Sequence, residues 1–169
     1  MFEKLKKNYS ALLKTKEFNS LKKEKPEIYL CSAFTVMDGK EFSEWQLDFF
    51  DTKDNKITSF ILKNGKFEMT AAQEVFQEKE SKIDELELGK VKLNLEETFE
   101  IIKKVRDEKY RGDNPSKIII ILQNMDNHEV WNVTYLTVNF NVLNFKIDAS
   151  NGAIISEKCE PVFGFKVKA

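Results

Sequence analysis

Hydrophobic and polar positions along the chain change period several times, and each change marks an expected element. From Leu95 the apolar residues Phe99, Ile102 and Val105 recur at spacings of four, three and three, with Glu96, Glu100, Lys103 and Lys104 between them. That is the period of a helix with one buried face. Asn94 stands directly before the run and Glu97 follows three residues later, the capping-box spacing in which the Asn side chain accepts from the free N–H groups of the first turn. Gly112 and Pro115 set its end near Tyr110. Ile118 to Leu122 is then a continuous apolar run that reads as a strand buried on both faces at the sheet centre. Trp131, Val133 and Tyr135 alternate with Asn132 and Thr134, and Leu143, Phe145 and Ile147 alternate with Asn144 and Lys146. Period two predicts antiparallel strands with one face on the helix and the other in solvent. Asp148-Ala149-Ser150-Asn151-Gly152 has turn chemistry, and Ile154-Ile155 and Val162 to Val167 supply final strands.

The N-terminal half starts in the same way. Phe2, Leu5, Tyr9, Leu12 and Leu13 follow helical spacing, with Lys4, Lys6, Lys7, Lys14 and Lys16 largely on the other side, and Pro26 marks the end of this amphipathic helix. Ile28 to Met37 reads as a strand, Asp38-Gly39 as a turn, Trp45 to Phe50 and Ile57 to Leu62 as further strands, and Asn64-Gly65 as a closing turn. Thr70 and Gln73 have capping-box spacing and predict a short helix through about Ser81, with Val75 and Phe76 on its inner side. Leu86, Leu88, Val91 and Leu93 make the stretch that follows too apolar for a free linker.

Set side by side, the halves share one order of signals. Met37-Asp38-Gly39-Lys40-Glu41 parallels Met125-Asp126-Asn127-His128-Glu129, and Trp45, Leu47 and Phe49 parallel Trp131, Val133 and Tyr135. Phe60 and Leu62 parallel Phe145 and Ile147, and Asn64-Gly65 parallels Asn151-Gly152. The pattern predicts a tandem duplication of a helix-plus-meander unit: an N-terminal unit over 1–69, a connecting helix and linker over 70–89, and a C-terminal unit over 90–169. The fold class expected is α+β.

Val91-Lys92-Leu93-Asn94-Leu95-Glu96-Glu97-Thr98-Phe99, the strand containing Trp131-Asn132-Val133, and Phe145-Lys146-Ile147-Asp148-Ala149-Ser150-Asn151-Gly152-Ala153-Ile154 together resemble the PepSY domain. The resemblance covers roughly residues 90 to 158. It departs from the family at Thr98, where Ala is usual, and at Ser150-Asn151, where a Thr before the Gly is common. It implies a cystatin-like architecture with a short lead-in strand before the helix. It also implies a non-catalytic module that binds other proteins or peptides in a regulatory or inhibitory role.

Composition narrows the field of functions. The 27 Lys plus Arg against 28 Asp plus Glu argue against a general nucleic-acid partner, and 14 Phe point to an aromatic core. No apolar run approaches the length of a membrane span and the first residues lack a secretory h-region, so the chain as written reads as cytoplasmic, and as extracytoplasmic if a leader precedes it. The basic first helix is read as packing on its own sheet and not on a membrane surface. Six single, scattered glycines form no phosphate-binding loop and no dinucleotide fingerprint. Cys31, Cys159 and the single His128 make no local ligand pair, so no metal and no cofactor is expected, and the two cysteines are read as free thiols. His128 is read as a solvated turn residue; Asp51 with Asp54, Asp126 with Glu129, and Asp148 as caps of bends; and Trp45, Phe49, Trp131 and Tyr135 as core. No catalytic residue is assigned and the protein is not expected to be an enzyme. The expected partner is an unidentified protein or peptide, bound at a sheet edge or in a groove between the units. The alternative is a small-ligand pocket between sheet and helix.

Overall fold

The computed structural model describes residues 1–71, 73–74 and 83–162. It is an α+β structure in which three helices lie on one antiparallel sheet. In chain order the elements are α1 (Phe2–Leu12), α2 (Lys16–Glu24), β1 (Tyr29–Asp38), β2 (Glu41–Phe42), β3 (Gln46–Asp51), β4 (Lys56–Lys63), β5 (Lys66–Met69) and β6 (Gln73–Glu74). A short 3-10 turn (Leu88–Lys90) leads to α3 (Leu95–Lys109), β7 (Pro115–Met125), β8 (His128–Thr137), β9 (Asn141–Asp148) and β10 (Ile154–Pro161). The sheet runs β10-β9-β8-β7-β1-β3-β4-β5, with β2 beside β1 and β6 beside β4. Each half therefore contributes a meander, and the halves join where β1 pairs with β7 from Ser32↔Gln123 to Asp38↔Lys117.

α3 forms as its sequence requires. The Asn94 side chain accepts from the Glu97 amide at 2.8 Å and the Glu97 carboxylate accepts from the Asn94 amide at 2.8 Å. Thr98 is fully buried and turns its hydroxyl back to the Asn94 carbonyl at 2.9 Å. The N-terminal helix differs from its expectation, being two helices and not one. Thr15 ends the first by donating its hydroxyl to the Leu12 carbonyl, and caps the second by accepting from the Phe18 amide. The break lets Phe2, Leu5 and Leu12 on α1 and Phe18 and Leu21 on α2 all reach the core, while Leu13 is left exposed.

Three further expectations change. The helix proposed from Thr70 is replaced at its start by β6, whose Gln73 and Glu74 pair with Ile57 and Lys56 along the stretch of β4 that β5 leaves open. Thr70 meanwhile donates its hydroxyl to the Ser59 carbonyl, and the rest of that proposed helix, with Val75 and Phe76, lies outside the described residues, as do Phe163 to Val167 of the final strand. No strand leads directly into α3 over residues 83–94: the chain at Lys92 and Leu93 makes two amide bonds to the Ala149 carbonyl, each 2.9 Å. The run Ile118 to Leu122 is central but not covered on both sides. Ile118, Ile120 and Leu122 are buried against the helices, and Ile119 and Ile121 are half-buried on the other face.

The core lies between the sheet and the helices. Trp45, Trp131, Phe49, Phe60 and Phe145 are each essentially inaccessible there, and the two Trp rings sit 6.4 Å apart at the seam between the halves. Each Trp Nε1 donates to a carbonyl at the start of a helix, Trp45 to Met1 at 3.3 Å and Trp131 to Leu93 at 3.0 Å, so both indoles fix a helix to the sheet while filling the core.

Candidate functional site: the open face of the sheet

Among the described residues the helices cover one face only, and period two sends every second side chain to the other. Register runs unbroken across that open face: Ser156, Lys146, Asn132, Ile121, Phe34, Gln46, Ile61 and Glu68 are successive cross-strand partners from β10 to β5. At the usual strand spacing this row is roughly 33 Å long. Its middle is apolar, because Phe34 and Val36 of β1 stand opposite Ile121 and Ile119 of β7, all four half-buried.

Hydrogen-bonding clusters flank this strip on both sides at matching positions. In the C-terminal half the Asn144 amide donates to Asn132 Oδ1 at 2.7 Å and to Thr134 Oγ1 at 2.8 Å. In the N-terminal half Asp48 accepts from Ser59 at 2.6 Å, Gln46 at 2.8 Å and Ser32 at 2.8 Å. The same register carries neutral amide chemistry on one side and a carboxylate on the other.

Beyond the neutral cluster the face dips into a cavity of about 470 Å3 at the corner formed by β8, β9, β10 and the β7–β8 turn. Lys146, Lys158, Asn144 and Ser156 supply polar groups and Met125, Val130 and Ile155 apolar wall. His128, read from sequence as a solvated turn residue, is the first residue of β8 and is well exposed, yet its Nδ1 stands 3.3 Å from Oδ2 of buried Asp148. Burial alone would raise the Asp148 carboxyl. The Ser150 hydroxyl and amide, the nearby His128 and the Asn151 amide outweigh it and hold the carboxyl below its ordinary range. The Ser150 bonds are 2.5 Å from the hydroxyl and 2.8 Å from the amide, so Asp148 caps the turn while standing beside the imidazole. A second, shallower cavity of about 420 Å3 lies on the other side of His128, lined by Lys90, Lys92, Glu129 and Ser150.

The other singled-out residues are dispersed. Asp51 and Asp54 share Lys25 at 2.7 and 2.9 Å at the far rim of the sheet, Asp126 borders the His128 cavity, and Glu129 is buried near the Glu87 amide. Trp45, Phe49, Trp131 and Tyr135 all point into the core. Both cysteines are free thiols. Cys31 is buried and, with Asp48 also near, its thiol is pushed up to about 12 chiefly by desolvation, which makes it unreactive. Among the described residues no group of three or more His, Cys, Asp or Glu is placed to hold a metal ion.

No protein-family model and no curated protein matches the sequence. The fold is similar to that of the crystal structure of a "putative lipoprotein" from Clostridium difficile 630, with a TM-score of 0.55 and 13% identity over 85% of this chain and 90% of that one. At that identity the likeness is one of fold.

Proposed function

We propose that this protein is a non-catalytic binding module of PepSY type, built from two copies of one helix-plus-meander unit, and that it holds a protein or peptide on the open face of its sheet. The observation that carries the reading is the apolar strip of Phe34, Val36, Ile119 and Ile121 at the seam, bracketed by hydrogen-bonding side chains in matching register. Interfaces have this composition, an apolar centre with a polar rim. The face belongs to both halves, so joining two units makes a surface that neither meander has alone. On the opposite side, the layer between sheet and helices is packed with fully buried aromatic rings, which is why the reading favours the open face over a ligand held between sheet and helix.

An extracytoplasmic setting goes with this reading, supported by the PepSY resemblance and by the name of the C. difficile protein. No helix among the described residues is long and apolar enough to cross a membrane.

The test is capture from native extract by the wild type, by Ile121→Lys on the open face, and by Lys103→Glu on the far side of α3, with mass spectrometry of what is retained. The expected result is a protein held by the wild type and the α3 variant and lost from Ile121→Lys. Identical retention by all three overturns the reading.

A further inference from the structure

We propose that the His128 cavity is a carboxylate-binding subsite at the end of the open face, taking the C-terminal carboxylate or an acidic side chain of an extended peptide. Lys146 pairs in register with Ser156, and Lys158 with Asn144, so the two lysines are diagonal neighbours on one face across β9 and β10. Neither has an acidic partner within ion-pair distance among the described residues, although both line the cavity. Diagonal neighbours lie roughly 7–8 Å apart, a spacing that a carboxylate can bridge.

The remaining charges set what the anion can be. Asp148 accepts from Ser150 and stands beside His128, and Asp126 lies at the cavity edge, so the two ammonium groups of the lining face two carboxylates. With no surplus of positive charge, the lining suits a monoanion better than a dianion. The cavity offers no guanidinium fork and no helix N-terminus, the features that single out phosphate. The Ser156 hydroxyl adds a neutral donor, and the His128 ring stands at the cavity edge with Nδ1 3.3 Å from Asp148 Oδ2. Met125, Val130 and Ile155 give an adjoining apolar wall for a neighbouring side chain.

A peptide is the natural carrier because β10 ends the sheet among the described residues, and an outer edge there can accept another strand, which places alternate side chains on the open face. The proposal rests on the binding-module reading only for the polymer that carries the carboxylate.

The test is amide-resolved NMR titration of the full chain with short apolar peptides of one sequence in three forms: free C-terminal acid, C-terminal amide, and C-terminal amide with one internal Glu. Perturbation should centre on Met125, His128, Lys146 and Lys158, with the plain amide form about tenfold weaker or worse. A response to the free acid alone assigns the site to chain termini, and a response to the Glu form alone assigns it to side chains. The double variant Lys146→Ala/Lys158→Ala should weaken binding by about tenfold, while Lys103→Ala/Lys104→Ala on α3 leaves it unchanged. Equal response to the plain amide, no loss in the Lys146/Lys158 variant, or no localised perturbation at millimolar peptide overturns the proposal. These probes do not involve the natural partner, so their failure leaves the open-face reading standing, and failed capture leaves this one standing.

Discussion

The two halves have the same strand order and the same aromatic anchors but solve their remaining problems with different chemistry. Phe60 lies across from Leu47, and Phe145 lies across from Val133, in equivalent register. The helix of the N-terminal half is broken at Thr15 and tied down by an ion pair, Lys25 at the end of α2 with Asp51 at the end of β3. The C-terminal half has one unbroken helix, and past its end Asp113 accepts from Thr137, Asn139 and Asn141 at 3.4, 3.3 and 3.0 Å. On the open face, counting from the paired Phe residues, Ile61 and Lys63 stand where the other half has Lys146 and Asp148. The aromatic positions facing the core are therefore chemically matched, and these positions facing outward differ. Core packing tolerates little change in shape, whereas outward positions are under no such constraint, and the cavity with its His128–Asp148 contact lies on one side only.

The sharpest way to break the comparison is at the matched indoles. Trp45→Ala and Trp131→Ala each remove a fully buried ring and the bond that pins a helix start, and each should cost about 3–5 kcal/mol. Urea unfolding of the two variants should give similar losses. A loss confined to one would show that the halves do not use their anchors alike.

Next come the two turn glycines, which share a backbone conformation and differ in surroundings. Gly65 has φ +76 and Gly152 has φ +79, so alanine is strained at both. A Cβ at Gly65 meets nothing within 4 Å, whereas at Gly152 it meets Ile101 Cδ1 and Leu93 Cδ2 at 3.0 Å. Gly65→Ala should cost about 1 kcal/mol and Gly152→Ala about twice that. Equal costs in thermal unfolding would mean that the turn of the C-terminal half is not wedged against α3 and its lead-in.

What was legible in the sequence divides along the same line as the comparison. α3, its capping box and the alternating aromatic strands were readable because periodicity and caps act within a few residues. Thr15 carried a readable stop and start signal, Thr being a favoured cap, but the continuous lysine face masked it. β6 was misread because Thr70 and Gln73 have helical cap spacing, while the unpaired edge of β4 that recruits Gln73 and Glu74 is a tertiary fact. The cavity was hidden for a similar reason. His128 and Asp148 meet only because β8 and β9 pair with Val130 opposite Asp148, and the turn motif around Asp148 gave a sufficient local account of that residue. The alternation of Asn144, Lys146 and Asp148 on one face was the signal that could have found it.

The last comparison sets the ionic latch of the N-terminal half against the Asp113 cluster of the other. The Lys25 hydrogen bond, opposed by burial and reinforced by the Lys53 and Asp54 amides, holds the Asp51 carboxyl below its ordinary range. A carboxyl lowered in the folded state contributes stability that is fully present above its unfolded pKa, about 3.9, and is lost as pH falls through the folded value. Asp51→Asn should therefore cost about 1–2 kcal/mol at neutral pH, since Lys25 keeps Asp54 as a partner. The variant and the wild type should converge as pH falls below about 4. Asp113→Asn in the other half keeps a carbonyl oxygen for its three donors and should cost under about 1 kcal/mol. Chemical denaturation across pH checks both. If Asp51→Asn and the wild type stay parallel to the acid limit, the ion pair is not what secures α2.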